Sequence, residues 1–374
     1  KTSMASKVVH RVLALSVVKH DYLPRAVAAH PQFQLVGVAD HPGEPDWVHE
    51  RNQAFAEEFG IPYVRDVDRA MQDLDAKVAV VSSQAERHCE LGVRAANAGL
   101  HVILDKPLAL RLSDADQLVE SVLKNQVQSL VWNRNYLPSL VQAKATLDEG
   151  KIGRLLSVHC DFYFSKDAGP PKGSRGPNDP PIDWLERQIE AHADGSDGGV
   201  GVEPIGELQI EGIYPLAYIN LLAGCPVERV FARTAAHFHQ ANVDNQVEDL
   251  ATVTLEMGEG IVGSLSIGRI GAAAHPDIGE IKLHLVGTEG ALVVSEARPE
   301  VSVYYRGQSP LEFKHRRVAD QNNFRLMEEF AQAIEGNAKP VLDVLEARNI
   351  TATVLAALES NRTGRVVSVE NRKI

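Results

Sequence analysis

The chain has 374 residues, a formal net charge of -12 and an ordinary globular composition, with acidic and basic residues interspersed. That length exceeds one comfortable hydrophobic core and fits two domains. The charge excludes a nucleic-acid surface, which needs clustered Lys and Arg. Cys89, Cys160 and Cys225 are odd in number and far apart in apolar surroundings, so they read as buried thiols in a reducing compartment rather than as a disulfide framework or a metal site. No metal is expected.

Lys1-Thr2-Ser3 precede Met4 and are set aside as a cloning remnant. The apolar run from Val12 to Val18 is too short to span a bilayer and carries no cleavage pattern, so no membrane is expected and a cytoplasmic location is. From Val8 to about Asn133, short continuous apolar runs alternate with amphipathic stretches, the pattern of βαβ units around a parallel sheet. Strands are expected over residues 11–18, 34–39, 61–64, 77–82, 101–104 and 128–132, and helices over 47–59, 86–98 and 113–124. This is a Rossmann-type domain over residues 1–133.

A dinucleotide-binding domain of this kind carries glycines where its first strand meets its first helix, because the tight turn and the close approach to a diphosphate leave no room for side chains. Between Val12 and Tyr22 there is no glycine at all. Asp40 ends the second strand about 20 residues further on, where a carboxylate can accept from the ribose hydroxyls of adenosine. It would repel a 2′-phosphate, so NAD is expected over NADP unless Arg51 or His41 folds over it. Asp40 also suits a plain turn before Pro42-Gly43. After the fourth strand come Ser82, Ser83 and His88; after the fifth come Asp105-Lys106-Pro107; after the sixth comes Arg134. A lysine just past a strand's carboxyl end points into the crevice where such sheets bind ligands, and Pro107 holds it extended.

Past the helix ending near Gly150 the periodicity changes to alternating strands, expected over 155–164, 227–234, 250–257, 261–267, 282–286, 291–295 and 301–305. Met257-Gly258-Glu259-Gly260 reads as a hairpin turn. Residues 134–374 are therefore an α+β domain with an open, mainly antiparallel sheet. An uncovered sheet face predicts a homodimer or homotetramer. The Pro- and Gly-rich stretch from Asp167 to Trp184 is read as a long loop, with Trp184 free either to stack on a sugar face or to anchor it. The C-terminal part is helical, with Met327, Phe330, Ala331 and Ile334 at helical spacing before Gly336.

Taken together, Asp105-Lys106-Pro107, Leu35 to Asp40, Ala95 to Gly99, Gly212 to Leu216, Val247 to Ala251 and Gly287 to Leu292 resemble, in order and spacing, the glucose-fructose oxidoreductase and inositol dehydrogenase family (Gfo/Idh/MocA). Asp105 replaces the usual Glu. The resemblance implies an NAD-dependent oxidoreductase acting on a secondary hydroxyl, or the matching ketone, of a sugar, sugar derivative or cyclitol. It also implies that the C-terminal helices return to the first domain, and it leaves a periplasmic location open, since some relatives are exported. Ala14, Ser16 and Lys19 stand at the family's three glycine positions. Two readings follow: a dinucleotide held by Ser16, Lys19 and His20 in place of bare backbone, or a pocket decayed or repurposed.

By the same resemblance Asp105, Lys106, Ser82, Ser83, His88 and Arg134 face the cofactor. Lys106, Trp184 and Tyr214 face the substrate. His88 also suits a packing role at the start of a helix. Tyr214 falls on the family's catalytic His or Tyr, while Ile210 stands where the family has an aspartate. If that segment is helical, Glu207, Glu211 and Tyr214 share one face, and Glu211 is the expected replacement. Pro215 predicts a kink or a helix start there. Removing hydride from a carbinol needs a base for its proton, and a phenol with a pKa of about 10 serves only when a cation such as Lys106 favours the phenolate. A catalytically silent sugar- or dinucleotide-sensing relative, or an enzyme using transient redox for elimination or glycoside cleavage, would keep the same scaffold.

Overall fold

A computed structural model describes residues 8–163, 205–237, 240–269, 280–296, 300–305, 308–314 and 319–373. The chain divides into two compact units, residues 1–133 with 320–348, and residues 134–319 with 349–374.

The first unit is built on six parallel strands: β1 (His10–Leu15), β2 (Phe33–Ala39), β3 (Tyr63–Val64), β4 (Val78–Val81), β5 (His101–Leu104) and β6 (Ser129–Val131), in the order β3-β2-β1-β4-β5-β6. Helices α1 (Tyr22–Ala28), α2 (Asp46–Phe59), α3 (Val67–Asp73), α4 (His88–Asn97) and α5 (Leu112–Asn125) connect them. Val12 to Leu15, Val78 to Val81 and Val102 to Leu104 are fully buried, which is why these segments are continuously apolar rather than alternating. The strand order reverses between β1 and β4, and that reversal opens a crevice at the carboxyl ends. Residues 320–348 complete the unit: the Phe330 ring lies 6.4 Å from that of Phe33, Val344 N donates to Ser129 Oγ, and Arg348 binds Asp116 at 2.8 Å.

In the second unit helix α6 (Pro138–Asp148) leads into β7 (Leu155–Tyr163), followed by α7 (Glu207–Glu211), α8 (Ile213–Ala223), β8 (Val227–Ala235), α9 (Gln240–Asn245), β9 (Leu250–Met257), β10 (Val262–Gly268), β11 (Glu280–Gly287), β12 (Gly290–Ser295), β13 (Glu300–Tyr305), β14 (Leu311–Lys314) and β15 (Val367–Ser368). Before β15 come two further helices, α10 (Ala319–Ile334) and α11 (Val344–Thr363), the first of them almost wholly in the first unit. Among the described residues the sheet runs β14-β13-β12-β11-β7-β10-β9-β8-β15, antiparallel except where β10 pairs with β7. Ala251, Val253 and Leu255 point to the buried face, and Phe162 packs there against Tyr214 and Tyr218. The other face carries the His159–Ser264 hydrogen bond and the exposed Val262 and Tyr304.

Two local outcomes matter, a departure from expectation at Ser16 and, at Pro215, the helix start that was one of the two expected alternatives. β1 stops at Leu15, not at residue 18, because Ser16 turns into the left-handed region with φ 58. Pro215 does not kink a helix: α7 ends at Glu211, the chain turns at Gly212, and α8 restarts with Pro215 in its first turn, where no intrahelical N–H is needed. No helix among the described residues is long and apolar enough to cross a membrane.

Candidate functional site

The carboxyl ends of β1, β2, β4 and β5 bring Ser16, Lys19, His20, Asp40, Ser82, Ser83, His88, Asp105 and Lys106 onto one edge of the first unit. At the β5 end Lys106 follows the strand in a turn with a cis Lys106-Pro107 bond and is only 4% exposed. Asp105 fixes it: one carboxylate oxygen accepts from Lys106 N at 2.7 Å and the other from His20 Nδ1 at 2.6 Å. Burial by itself would raise Asp105, but His20, Lys19 and His88 outweigh it and hold the carboxyl well below its usual range. Burial lowers His20, which donates from Nδ1 as a neutral ring. His88 is fully buried between Pro107 O at 2.6 Å and Ser83 O at 3.0 Å, and desolvation lowers it to about 4. It is therefore neutral at pH 7, with one N–H to give, and the shorter contact puts that proton on Nδ1, donating to Pro107 O. His88 clamps the turn that carries Lys106.

The β1 end is arranged differently. Residues 16–21 stay outside helix, α1 begins only at Tyr22, and Asp21 stands at its N-cap. The amides of this loop are turned into the protein: Val17 N donates to Asn52 Oδ1 at 2.7 Å, and Val18 N and Lys19 N both donate to Ser82 O. The Lys19 ammonium donates to Lys106 O, and Arg51 to Val18 O at 2.6 Å. Ser16 Oγ accepts from Arg87, while Ser82 Oγ is buried without a hydrogen-bond partner.

Arg87 dominates this end. Its guanidinium reaches from the turn before α4 to Asp40 at 2.6 Å and to Glu44 at 3.1 Å. Asp40 is wholly buried and accepts also from Asn52 Nδ2 and from its neighbour His41 N. Neither of the residues that could have folded over Asp40 does so: Arg51 goes to the loop and the His41 ring to Glu90, and the cation over the carboxylate is Arg87. Neither Arg87 nor Asn52 was expected. Arg87 lies between Glu86 and His88 in the very turn singled out, but its direction depends on the backbone of that turn.

Arg134, Glu211 and Tyr214 belong to the second unit. The Arg134 guanidinium lies 4.4 Å from the centre of the Tyr214 ring and 4.0 Å from Glu296. Glu211, the expected stand-in for the aspartate, hydrogen-bonds Arg269 at 3.1 Å, and Glu207 meets the same guanidinium at 2.8 Å. Glu248 lies over Gly206, where a Cβ would stand 2.1 Å from its carboxylate, and accepts from Leu208 N at the start of α7. Burial raises Glu248 to about 7. Trp184 lies outside the described residues. Cys89 and Cys160 are buried and Cys225 partly so, none of them bonded to another.

Both units match models of one family: the oxidoreductase family with an NAD-binding Rossmann fold over residues 16–133, and its C-terminal alpha/beta domain over residues 204–369. The chain belongs to this family, Gfo/Idh/MocA. Inositol 2-dehydrogenase of Salmonella typhimurium is 28% identical over 156 residues, 41% of this chain and 45% of that protein, so the chain matches less than half of that relative's length. The scyllo-inositol 2-dehydrogenase (NAD(+)) of Bacillus subtilis is 21% identical over 373 residues, 97% of this chain and 96% of that protein. A structure of levoglucosan dehydrogenase in complex with NADH and levoglucosan has the same fold, with a TM-score of 0.78 and 20% identity over 96% of this chain and 99% of that one.

The family's Rossmann domain binds NAD. The residues of this crevice, as arranged, do not fit a dinucleotide held through a glycine loop. A diphosphate needs free backbone N–H groups at a helix N-terminus; here those of residues 17–19 are taken and Asp21 adds a negative charge. Adenosine needs the Asp40 carboxylate, which Arg87 and Asn52 already hold.

Proposed function

We propose that this chain is an oxidoreductase acting on a carbohydrate-like polyol, at a secondary hydroxyl or the matching ketone. The observation that carries the reading is Lys106, a buried lysine at the carboxyl end of β5, held in place by Asp105, His20 and the His88 clamp. A lysine fixed there hydrogen-bonds the reacting oxygen and stabilises the negative charge that grows as its proton leaves. Tyr214, under the Arg134 guanidinium, is the proton-handling group this reading assigns to the second unit. The names of the relatives, inositol and levoglucosan dehydrogenases, support the substrate class and a nicotinamide dinucleotide as redox partner. NAD rather than NADP follows if Asp40 faces the ribose.

The test is a turnover screen over inositols and anhydro sugars with NAD and NADP. Lys106→Ala should lower kcat/KM by roughly 100-fold or more with the fold retained. Wild-type turnover in that variant removes Lys106 from the mechanism. One observation favours a second reading, a sugar-binding relative without redox chemistry: the crevice filled by its own side chains. Calorimetric binding of a polyol with no turnover in the screen would select it.

A further inference from the structure

The misfit at the β1 end has a definite source, and it is one side chain more than any other. Arg87 spans the carboxyl ends of β1 and β2, touching Ser16 Oγ, the Asp40 carboxylate and Glu44. Of the three groups binding Asp40, His41 N is its neighbour's backbone and Asn52 is wholly buried on α2, whereas Arg87 is a side chain that reaches it from the turn before α4. Its side chain is 15% exposed, whereas Asp40 beneath it has no exposure at all. Removing Arg87 would uncover the carboxylate.

The loop beside it is not packed solidly on every side. Val17 and Val18, with Arg51 and Phe55 of α2, border a pocket of about 330 Å³. The buried Ser82 Oγ, without a partner, marks an acceptor or donor position at the crevice floor that the present arrangement does not fill.

We propose that Arg87 occupies the adenosine end of the dinucleotide crevice, so that a dinucleotide and Arg87 compete for the Asp40 carboxylate. The proposal rests on the redox reading above. Arg87 thereby sets the affinity for the dinucleotide: binding must first displace the guanidinium, and the apparent dissociation constant is the intrinsic one divided by the fraction of molecules in which Arg87 has moved aside.

The experiment is titration of the full chain, stripped of any nucleotide carried through purification, with NADH, followed by its fluorescence and by calorimetry. The wild type should bind weakly and Arg87→Ala about tenfold or more tightly, the gain expected if the open state is held below about a tenth of the population. Adding Asp40→Asn to Arg87→Ala should abolish the gain, because the uncovered carboxylate is what the ribose gains. Arg87→Gln, which keeps a neutral hydrogen bond to Asp40 and so preserves the fold if alanine does not, should fall between the two. Unchanged binding in Arg87→Ala overturns the competition, and weaker binding overturns it and makes Arg87 a ligand of the dinucleotide; both leave the redox reading intact. No binding in any of these proteins overturns both the competition and the dinucleotide-dependent reading.

Discussion

Arg87 and Arg269 do the same thing in the two units, and their settings make the outcomes differ. Each guanidinium bridges two carboxylates, Asp40 and Glu44 in the first case, Glu207 and Glu211 in the second. Arg269 is 7% exposed and its partners lie on a short helix packed against β9 and β10, so little solvent reaches its bonds. Arg87 lies at the strand ends where the sheet order reverses, with partial exposure and one carboxylate that two other donors also serve. The same ion-pair chemistry is therefore structural at one place and displaceable at the other. What decides is whether a ligand or water can take the arginine's place.

The largest effect should come from Arg269→Met. It leaves two buried carboxylates without their shared cation, and breaking a buried pair in this way costs about 3–5 kcal/mol. Arg87→Ala should cost only about 1–2 kcal/mol, because Asp40 keeps Asn52 and His41 N and water reaches it through the opened crevice. Urea denaturation of the two variants gives the comparison directly. Equal losses would erase the distinction between a structural and a displaceable arginine.

The elements that position these arginines were legible in the sequence to different degrees. The parallel sheet was readable because strands buried on both faces are continuous runs of Val, Leu and Ala, as at Val78 to Val81, and the second sheet because half-buried strands alternate, as at Leu250 to Met257. The short elements α3, β14 and β15 were not, since two turns of helix or a few edge-strand residues fix no period where no continuous apolar run marks them. The Lys106 end was legible because a strand, a charged pair and a proline occur in succession. The β1 end showed only that glycines were absent. That Val17 N would turn to Asn52, or that Arg87 would reach Asp40, depends on contacts across 35 and 47 residues, which no local pattern encodes.

At the β5 end the clamp should show itself through pH. His88 is lowered from 6.5 to about 4 by burial, so the folded state binds its proton less readily than the unfolded chain. A group depressed in this way contributes stability that is present above pH 6.5 and is lost as the pH falls toward 4, by up to about 3 kcal/mol. Asp105, also held low, acts in the same direction at still lower pH. His88→Asn, which keeps an N–H for Pro107 O and cannot be protonated, should flatten the decline in urea stability between pH 7 and pH 5. An equally steep decline in that variant would move the acid sensitivity away from the clamp.

The smallest effect separates backbone from side chain at the β1 end. Ser16 adopts the left-handed conformation, with φ 58, and an L-residue there carries strain of roughly 1–2 kcal/mol. Against that stand one long bond from Arg87 to Ser16 Oγ, at 3.3 Å, and the lower entropy of an unfolded serine relative to glycine. The strain exceeds these, so Ser16→Gly should raise stability by about 0.5–1 kcal/mol in urea denaturation. It should not by itself restore dinucleotide binding, because Arg87 still covers Asp40 and the amides of residues 17–19 are still bonded inward. A loss of stability would mean that the serine hydroxyl holds Arg87 in place more strongly than its distance implies, and Ser16→Gly would then loosen the arginine and tighten NADH binding together.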